Sequence, residues 1–278
     1  MVSALASAVG IFGSLIGSFL NVVIFRVPHG RSIVWPPSTC GSCGVRVRPW
    51  DNIPIVSWVL LRGRCRDCSS PISVRYPLVE LGTAILFAMV TWWALSGEGV
   101  SASSTSGFAL AATILALVAF LYLAAIGVAL VFIDLDTRTL PNRIVLPAYP
   151  VAGTLLAAAA LLAEEPGRLL TALIGAVALF ALYFAMAMLY SGGMGLGDVK
   201  LAGVLGLYLG WLGWAPLAVG AFCAFLLGGV FSLVLVIARG AGRRTAIPFG
   251  PWMIAGAWVG IFAGEQIASA YLALFRLV

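Results

Sequence analysis

The stretch "LAGVLGLYLGWLGWAPLAVGAFCAFLLGGVFSLVLVIA" (201–238) carries no charged residue from end to end. As one α-helix it would be ~57 Å long at ~1.5 Å per residue, nearly twice the ~30 Å hydrocarbon core of a bilayer. Inside it, "GWLGWAP" (210–216) combines Gly, Trp and Pro, residues that interrupt helices and settle at a membrane interface. The run therefore reads as two spans joined by an interfacial turn. Further charge-free runs lie at 3–25, 77–96, 108–133, 144–163, 169–190 and 245–264, each near the ~20 apolar residues a crossing needs. The expected fold is an all-α polytopic membrane protein of about eight transmembrane helices. A chain that is 62% hydrophobic and 9% charged, with mean hydropathy +1.08, has too little polar surface for a soluble domain.

Charge sets the expected orientation. With the N-terminus outside, every Lys and Arg except Arg168 and Arg276 falls on the inner side, as the positive-inside rule requires. The first helix, residues 1–25, has no basic residue before it and Arg26 after it, so it is expected to be a retained span rather than a cleaved signal. This orientation puts the polar insertion 26–76, "FIDLDTRTLPN" (132–142) and "GGMGLGD" (192–198) on the cytoplasmic face. The loops "SGEGVSASSTSG" (96–107) and "AEEPGR" (163–168) become ordinary outer connections, and residues 77–278 form the main bundle.

The insertion holds two C-x-x-C knuckles, Cys40 with Cys43 and Cys65 with Cys68. Four thiolates suit a tetrahedral structural zinc, although the interval between the pairs lies just outside the usual ~15–20-residue window. Disulfides are disfavoured in a reducing cytoplasm, and an iron–sulfur cluster is the other metal alternative. An insertion with so little apolar material needs the folding energy a metal supplies. Its arginines lie within reach of an anionic leaflet, and no aromatic stacking pattern accompanies them, which argues against a nucleic-acid partner. Cys223, alone in an apolar run, reads as packing.

At the inner helix ends the acids are Glu80, Asp134, Asp136 and Asp198. Asp134 closes one span and Asp198 precedes another, so the two are able to meet at one interfacial cleft. Two carboxyls sharing a site, one ionised and one protonated, are what peptide hydrolysis without a metal requires. Gly195 and Gly197 would leave room for a substrate backbone beside Asp198. Other roles compete: Asp134 as a helix terminator, Asp136 as a partner of Arg138 or Arg143, Asp198 as an N-cap, or both acids as proton carriers in a transporter with the cysteine domain as gate. A transporter would place its acids in mid-span. Asn142 and Arg143 read as orienting their loop, and His29 is too isolated for a triad.

The motifs "GSFLNVVIFRVP" (17–28), the paired C-x-x-C knuckles, "YPLVELGTA" (76–84), "FIDLDTRTLPN" and "GMGLGDVKL", in that order, make the chain resemble the type IV prepilin peptidases, membrane aspartic peptidases with a G-x-G-D motif. The resemblance spans nearly the whole chain. It implies a location in the cell's inner (cytoplasmic) membrane and cleavage of the leader from prepilins or pseudopilins at the cytoplasmic face, with Asp134 and Asp198, rather than Asp136, as the catalytic pair. It also implies N-methylation of the new terminus from S-adenosyl-L-methionine, because the cysteine domain is a mark of the bifunctional members. No strand–glycine-rich turn–helix unit marks a donor site. The positions that match by resemblance are Asn21, Gly63, Arg64 and Glu80. Each has a plain alternative: an interhelical hydrogen bond, a turn, a leaflet contact and a helix-start charge.

Overall fold

The computed structural model describes residues 1–97, 107–189, 194–239 and 248–275. The expected outer loop at 98–106, Gly192, Gly193, Arg243, Arg244 and Arg276 lie outside the described residues. Among those described there is no strand, only isolated bridges pairing Thr39 with Arg46 and Arg64 with Pro71. Seven helices are long and apolar enough to cross a membrane. They are α1 (Val2–Arg26), α3 (Arg75–Leu95), α4 (Gly107–Thr137), α5 (Asn142–Leu162), α6 (Gly167–Leu189), α8 (Trp214–Arg239) and α9 (Gly250–Leu274). The eighth expected span is α7 (Leu196–Leu212), 17 residues long, and α2 (Val56–Leu60) is a single short turn in the insertion. The long run at 201–238 breaks where its composition indicates. Gly213 adopts φ 137° between α7 and α8, a backbone position that excludes most side chains.

The chain divides into two compact units. The first comprises Met1–Gly99 with Phe120–Ala129 of α4. Its frame is the pair α1 and α3, which approach closely because Gly13 and Gly17 present no side chain. A Cβ at Gly17 would lie 2.7 Å from Glu80 Cα, and one at Gly13 would lie 2.8 Å from Phe87 Cβ. Membrane helices use small residues in this way because dispersion contacts, not water, drive their association.

The second unit comprises Val100–Ala119 and Leu130–Val278. Its centre is α7, buried on nearly every side. Gly206 and Gly210 rest directly on the backbone of α6 at Gly175 and Thr171. Polar anchors fix the height of α7. The Tyr208 hydroxyl donates to Ala119 O at 2.9 Å, Trp211 Nε1 donates to Leu156 O at 3.1 Å, and the Tyr149 hydroxyl donates to Lys200 O at 2.7 Å. This packing holds the first turn of α7, and Asp198 with it, in one place.

Candidate active site and cysteine centre

Asp134 lies in the last turn of α4, which runs on to Thr137. The helix then ends at Arg138, whose φ is 53° and whose N–H returns to Asp134 O at 2.9 Å. A left-handed residue commonly ends a helix, but glycine usually fills the position; a side chain there costs ~1–2 kcal/mol. The turn carries the chain to Leu140, which is buried, and to Asn142, where α5 begins. Leu140 fills the space left by two glycines: a Cβ at Gly197 would stand 3.0 Å from Leu140 Cβ, and one at Gly250 would stand 3.3 Å from its Cδ2.

Asp198 is the third residue of α7 rather than its N-cap, which is Gly195. Its carboxylate reaches back, and Gly195 N–H donates to Asp198 Oδ2 at 3.1 Å. Asp134 is held in the same manner: Gly250 N–H donates to Asp134 Oδ2 at 3.0 Å, and Asp134 is only 4% exposed. Each acid thus has one oxygen fixed by a backbone amide, and the second oxygen carries no protein partner among the described residues. Asp134 and Asp198 line one cleft of about 320 Å³ together with Arg138, Thr139, Leu140, Asn142, Gly195, Gly197 and Lys200. A Cβ at Gly195 would make only ordinary contact with Asp198 Oδ2, at 3.5 Å, whereas the missing side chain of Gly197 is taken up by Leu140. Asp136 is absent from the cleft lining.

Two groups here escape sequence reasoning. Gly250 sits in "PFGPW" (248–252), where the signal was a glycine beside Pro251 at a helix start. Lys200 follows Asp198 by two positions, and its Nζ donates to Asn142 Oδ1 at 3.0 Å, giving Asn142 a specific partner rather than a general place in its loop.

In the first unit the two knuckles share one backbone plan. Cys40 N–H bonds Val45 O and Cys65 N–H bonds Ser70 O, both at 2.9 Å. The fifth residue of each, Gly44 and Ser69, is left-handed at φ 73° and 57°. Ion pairs cross between them, Arg48 to Asp67 at 2.7 Å and Arg66 to Asp51 at 2.6 Å. The Arg66 guanidinium holds the Asp51 carboxyl below the usual range.

All four Sγ atoms lie within 4.8 Å of one another, and Cys40 and Cys68 are 3.8 Å apart. Metal–sulfur bonds of ~2.3 Å in a tetrahedron put sulfurs ~3.8 Å apart, so the residues fit a tetrahedral ion. The four thiols sit in unequal surroundings. Backbone amides of Cys43 and Ser42 pull Cys40 down to about 6. A Val45 amide also favours the Cys43 thiolate, but burial and the adjoining Cys40 and Cys68 outweigh it and push Cys43 up to about 11.

The residues matched to methyl transfer fall into two groups. Asn21 Nδ2 donates to Tyr76 O at 3.2 Å across α1 and α3. Glu80 is buried, and its Oε2 accepts the Ile55 N–H at 2.7 Å. Ile55 has φ 63° and ψ −52°, and Val56 N–H bonds Pro54 O at 2.5 Å. That is the rare positive-φ γ-turn, on a β-branched residue that strongly disfavours it. Gly63 and Arg64 belong to the second knuckle. Gly63 has φ 67°, and a Cβ there would stand 2.8 Å from Trp58 Cζ2. Helix α2 links the groups, with Ile55 before it and Gly63 just after it.

Residues 11–94 match the family described as Bacterial Peptidase A24 N-terminal domain, and residues 121–235 match the Type IV leader peptidase family. The chain is 35% identical to the prepilin leader peptidase/N-methyltransferase of Aeromonas hydrophila, covering 97% of this chain and 94% of that one. Its counterpart in Stutzerimonas stutzeri is 33% identical over 96% and 93% of the two chains. The Neisseria gonorrhoeae protein of the same name is 35% identical over 92% and 90%. No solved structure matches the chain. Matches that run through both units, the cysteine knuckles and the aspartate cleft together establish that the chain belongs to the type IV leader peptidase family.

Proposed function

We propose that this chain cleaves the leader from prepilins or pseudopilins with Asp134 and Asp198 as its catalytic pair, and then N-methylates the terminus it has freed. The observation that carries the reading is the shared cleft in which each aspartate is anchored through Oδ2 by a backbone amide. An anchored carboxyl keeps its other oxygen for chemistry. One carboxylate takes a proton from water as the water oxygen bonds to the scissile carbonyl carbon, and the other, protonated, donates to the carbonyl oxygen. The tetrahedral intermediate then breaks its C–N bond, the amine takes a proton from a carboxyl, and the leader departs as a carboxylate. Proximity of two like charges makes them titrate as a pair. Gly195 leaves room for the substrate backbone, and Gly197 admits the Leu140 contact beside it.

The distribution of basic residues supports an inner-membrane protein with its N-terminus outside and this cleft at the cytoplasmic face. Residues 26–76 are assigned as a zinc-binding domain with Cys40, Cys43, Cys65 and Cys68 as ligands, since sulfur spacing and ligand type suit Zn²⁺. Zinc there fixes structure and takes no part in cleavage. S-adenosyl-L-methionine supplies the methyl group, delivered to a neutral amine. Asn21, Glu80, Gly63 and Arg64 are assigned to the donor region. Glu80 and Gly63 act there by holding the Ile55 turn and the Trp58 packing on either side of α2.

Incubation of the detergent-solubilised enzyme with a prepilin, read by gel shift, tests the peptidase assignment. Asp134→Asn and Asp198→Asn are each expected to abolish cleavage while the protein stays folded, and Asp136→Asn to be mild. A dead Asp136→Asn beside an active Asp134→Asn overturns the assignment.

A further inference from the structure

Lys200 is the only lysine in a chain whose other cationic side chains are all arginine. It lines the cleft that holds Asp134 and Asp198 and is half-buried. Its ammonium is held by a neutral group, Asn142 Oδ1 at 3.0 Å, and among the described residues no ion pair joins it to either aspartate. Asn142 Oδ1 occupies one of its three N–H donors, and among the described residues the others are free for an anionic oxygen that forms in the cleft. The main chain of the same residue is fixed independently, since the Tyr149 hydroxyl donates to Lys200 O at 2.7 Å. Arginine presents a planar fork suited to carboxylates and phosphates, whereas lysine presents a compact point charge. A single developing oxyanion matches the second.

We propose that Lys200 is a third catalytic residue, whose ammonium donates to the scissile carbonyl oxygen as that oxygen gains negative charge, with Asn142 as its positioning residue. The inference rests on the aspartate assignment above. As water adds to the carbonyl carbon, the C=O π pair moves onto oxygen; the protonated aspartate delivers its proton there, and Lys200 donates a hydrogen bond to that oxygen while the charge builds, without giving up its own proton. When the C–N bond breaks, the O–H proton returns to a carboxylate, the pair re-forms the carbonyl, and the amine takes its proton from the carboxyl pair. Preorganised donors of this kind act mainly on the transition state.

Steady-state cleavage of a prepilin by the full-length solubilised enzyme tests this. Lys200→Met is expected to lower kcat by about 10²-fold with little change in KM, as for loss of one oxyanion donor, and Lys200→Arg to recover part of it. Asn142→Ala is expected to lower kcat too, and its effect should not add to that of Lys200→Met.

A second route avoids any doubt about folding. Acetylating amines on the folded wild-type enzyme modifies only Lys200 and the α-amino group, which peptide mass spectrometry resolves. Cleavage should fall in proportion to Lys200 acetylation, and the same treatment should leave the residual activity of Lys200→Arg unchanged. Full acetylation with undiminished cleavage, or a Lys200→Met enzyme altered in KM alone, overturns the proposal. Asp134→Asn and Asp198→Asn run alongside: if they still cleave, the aspartate assignment fails. If they are dead while Lys200→Met is fully active, only the role of Lys200 fails.

Discussion

A Cβ added at Gly250 would lie 2.8 Å from Asp134 Oδ2, so even alanine must displace the carboxyl or lose the amide that holds it. Gly250→Ala is therefore expected to cost about 10²-fold in kcat, the scale of a ~1 Å misplacement of a reacting group. Gly195 is the control. Its φ of −80° suits any residue, and a Cβ there meets Asp198 Oδ2 only at 3.5 Å. Gly195→Ala should leave both acids in place and raise KM, because it takes space from the substrate; an unchanged KM would remove Gly195 from the substrate path. Ile55 offers a different test. Its positive φ is paid for by the Glu80 hydrogen bond, so Ile55→Gly should relieve about 1 kcal/mol of backbone strain, seen as an unchanged or raised melting temperature. A marked fall would mean that the Ile55 side chain contributes more than its backbone costs.

Because the knuckles at Cys40 and Cys65 share one hydrogen-bond plan, Cys40→Ser and Cys65→Ser should lose metal alike. Hydroxyls are poor ligands for zinc, and metal analysis of the two variants against wild type reads the result. Equal metal in wild type and variants would sink the cysteine assignment. This element was legible in the sequence because ligand type and spacing are local. So were the long helices and the break at "GWLGWAP", which follow from hydropathy, and the meeting of Asp134 and Asp198 in one cleft, foreshadowed by the rarity of acids beside apolar runs. What was not legible depends on contacts between distant segments. Nothing near Gly250 announces that its amide will hold Asp134, and nothing in "TRTL" (137–140) marks Arg138 as left-handed, since the usual signal is glycine. The competing reading of Asp198 as the N-cap of α7 gives way to a capping-box acid three positions on: Gly195 is the cap, and the carboxylate folds back onto its N–H. Gly63 looked like a simple turn, yet it also makes room for Trp58, so a bulky residue there should disturb the knuckle as well as any donor site.

At the scale of the whole molecule, two activities are assigned to two units, and lesions in them should not be symmetric. Glu80→Gln is expected to lose methylation while cleavage persists, and Asp198→Asn to lose cleavage while a pre-cleaved pilin is still methylated from S-adenosyl-L-methionine. Mass spectrometry of the pilin terminus reads both steps, and a folded Asp198→Asn enzyme that cannot methylate pre-cleaved pilin would show that the sites overlap. The backbone contact of α7 with α6 at Gly206 and Gly210 has its own consequence. A helix seated that closely has no slack to slide or roll, so Asp198 behaves as a stationary anvil. Give around a substrate is then expected on the other side of the cleft, in the turn that leaves α4 through Arg138, while the Asp134 carboxylate stays tied to Gly250 N–H. Amide exchange should therefore be slowest along α7 and faster through 135–141, a division of labour between a fixed tool and a moving one.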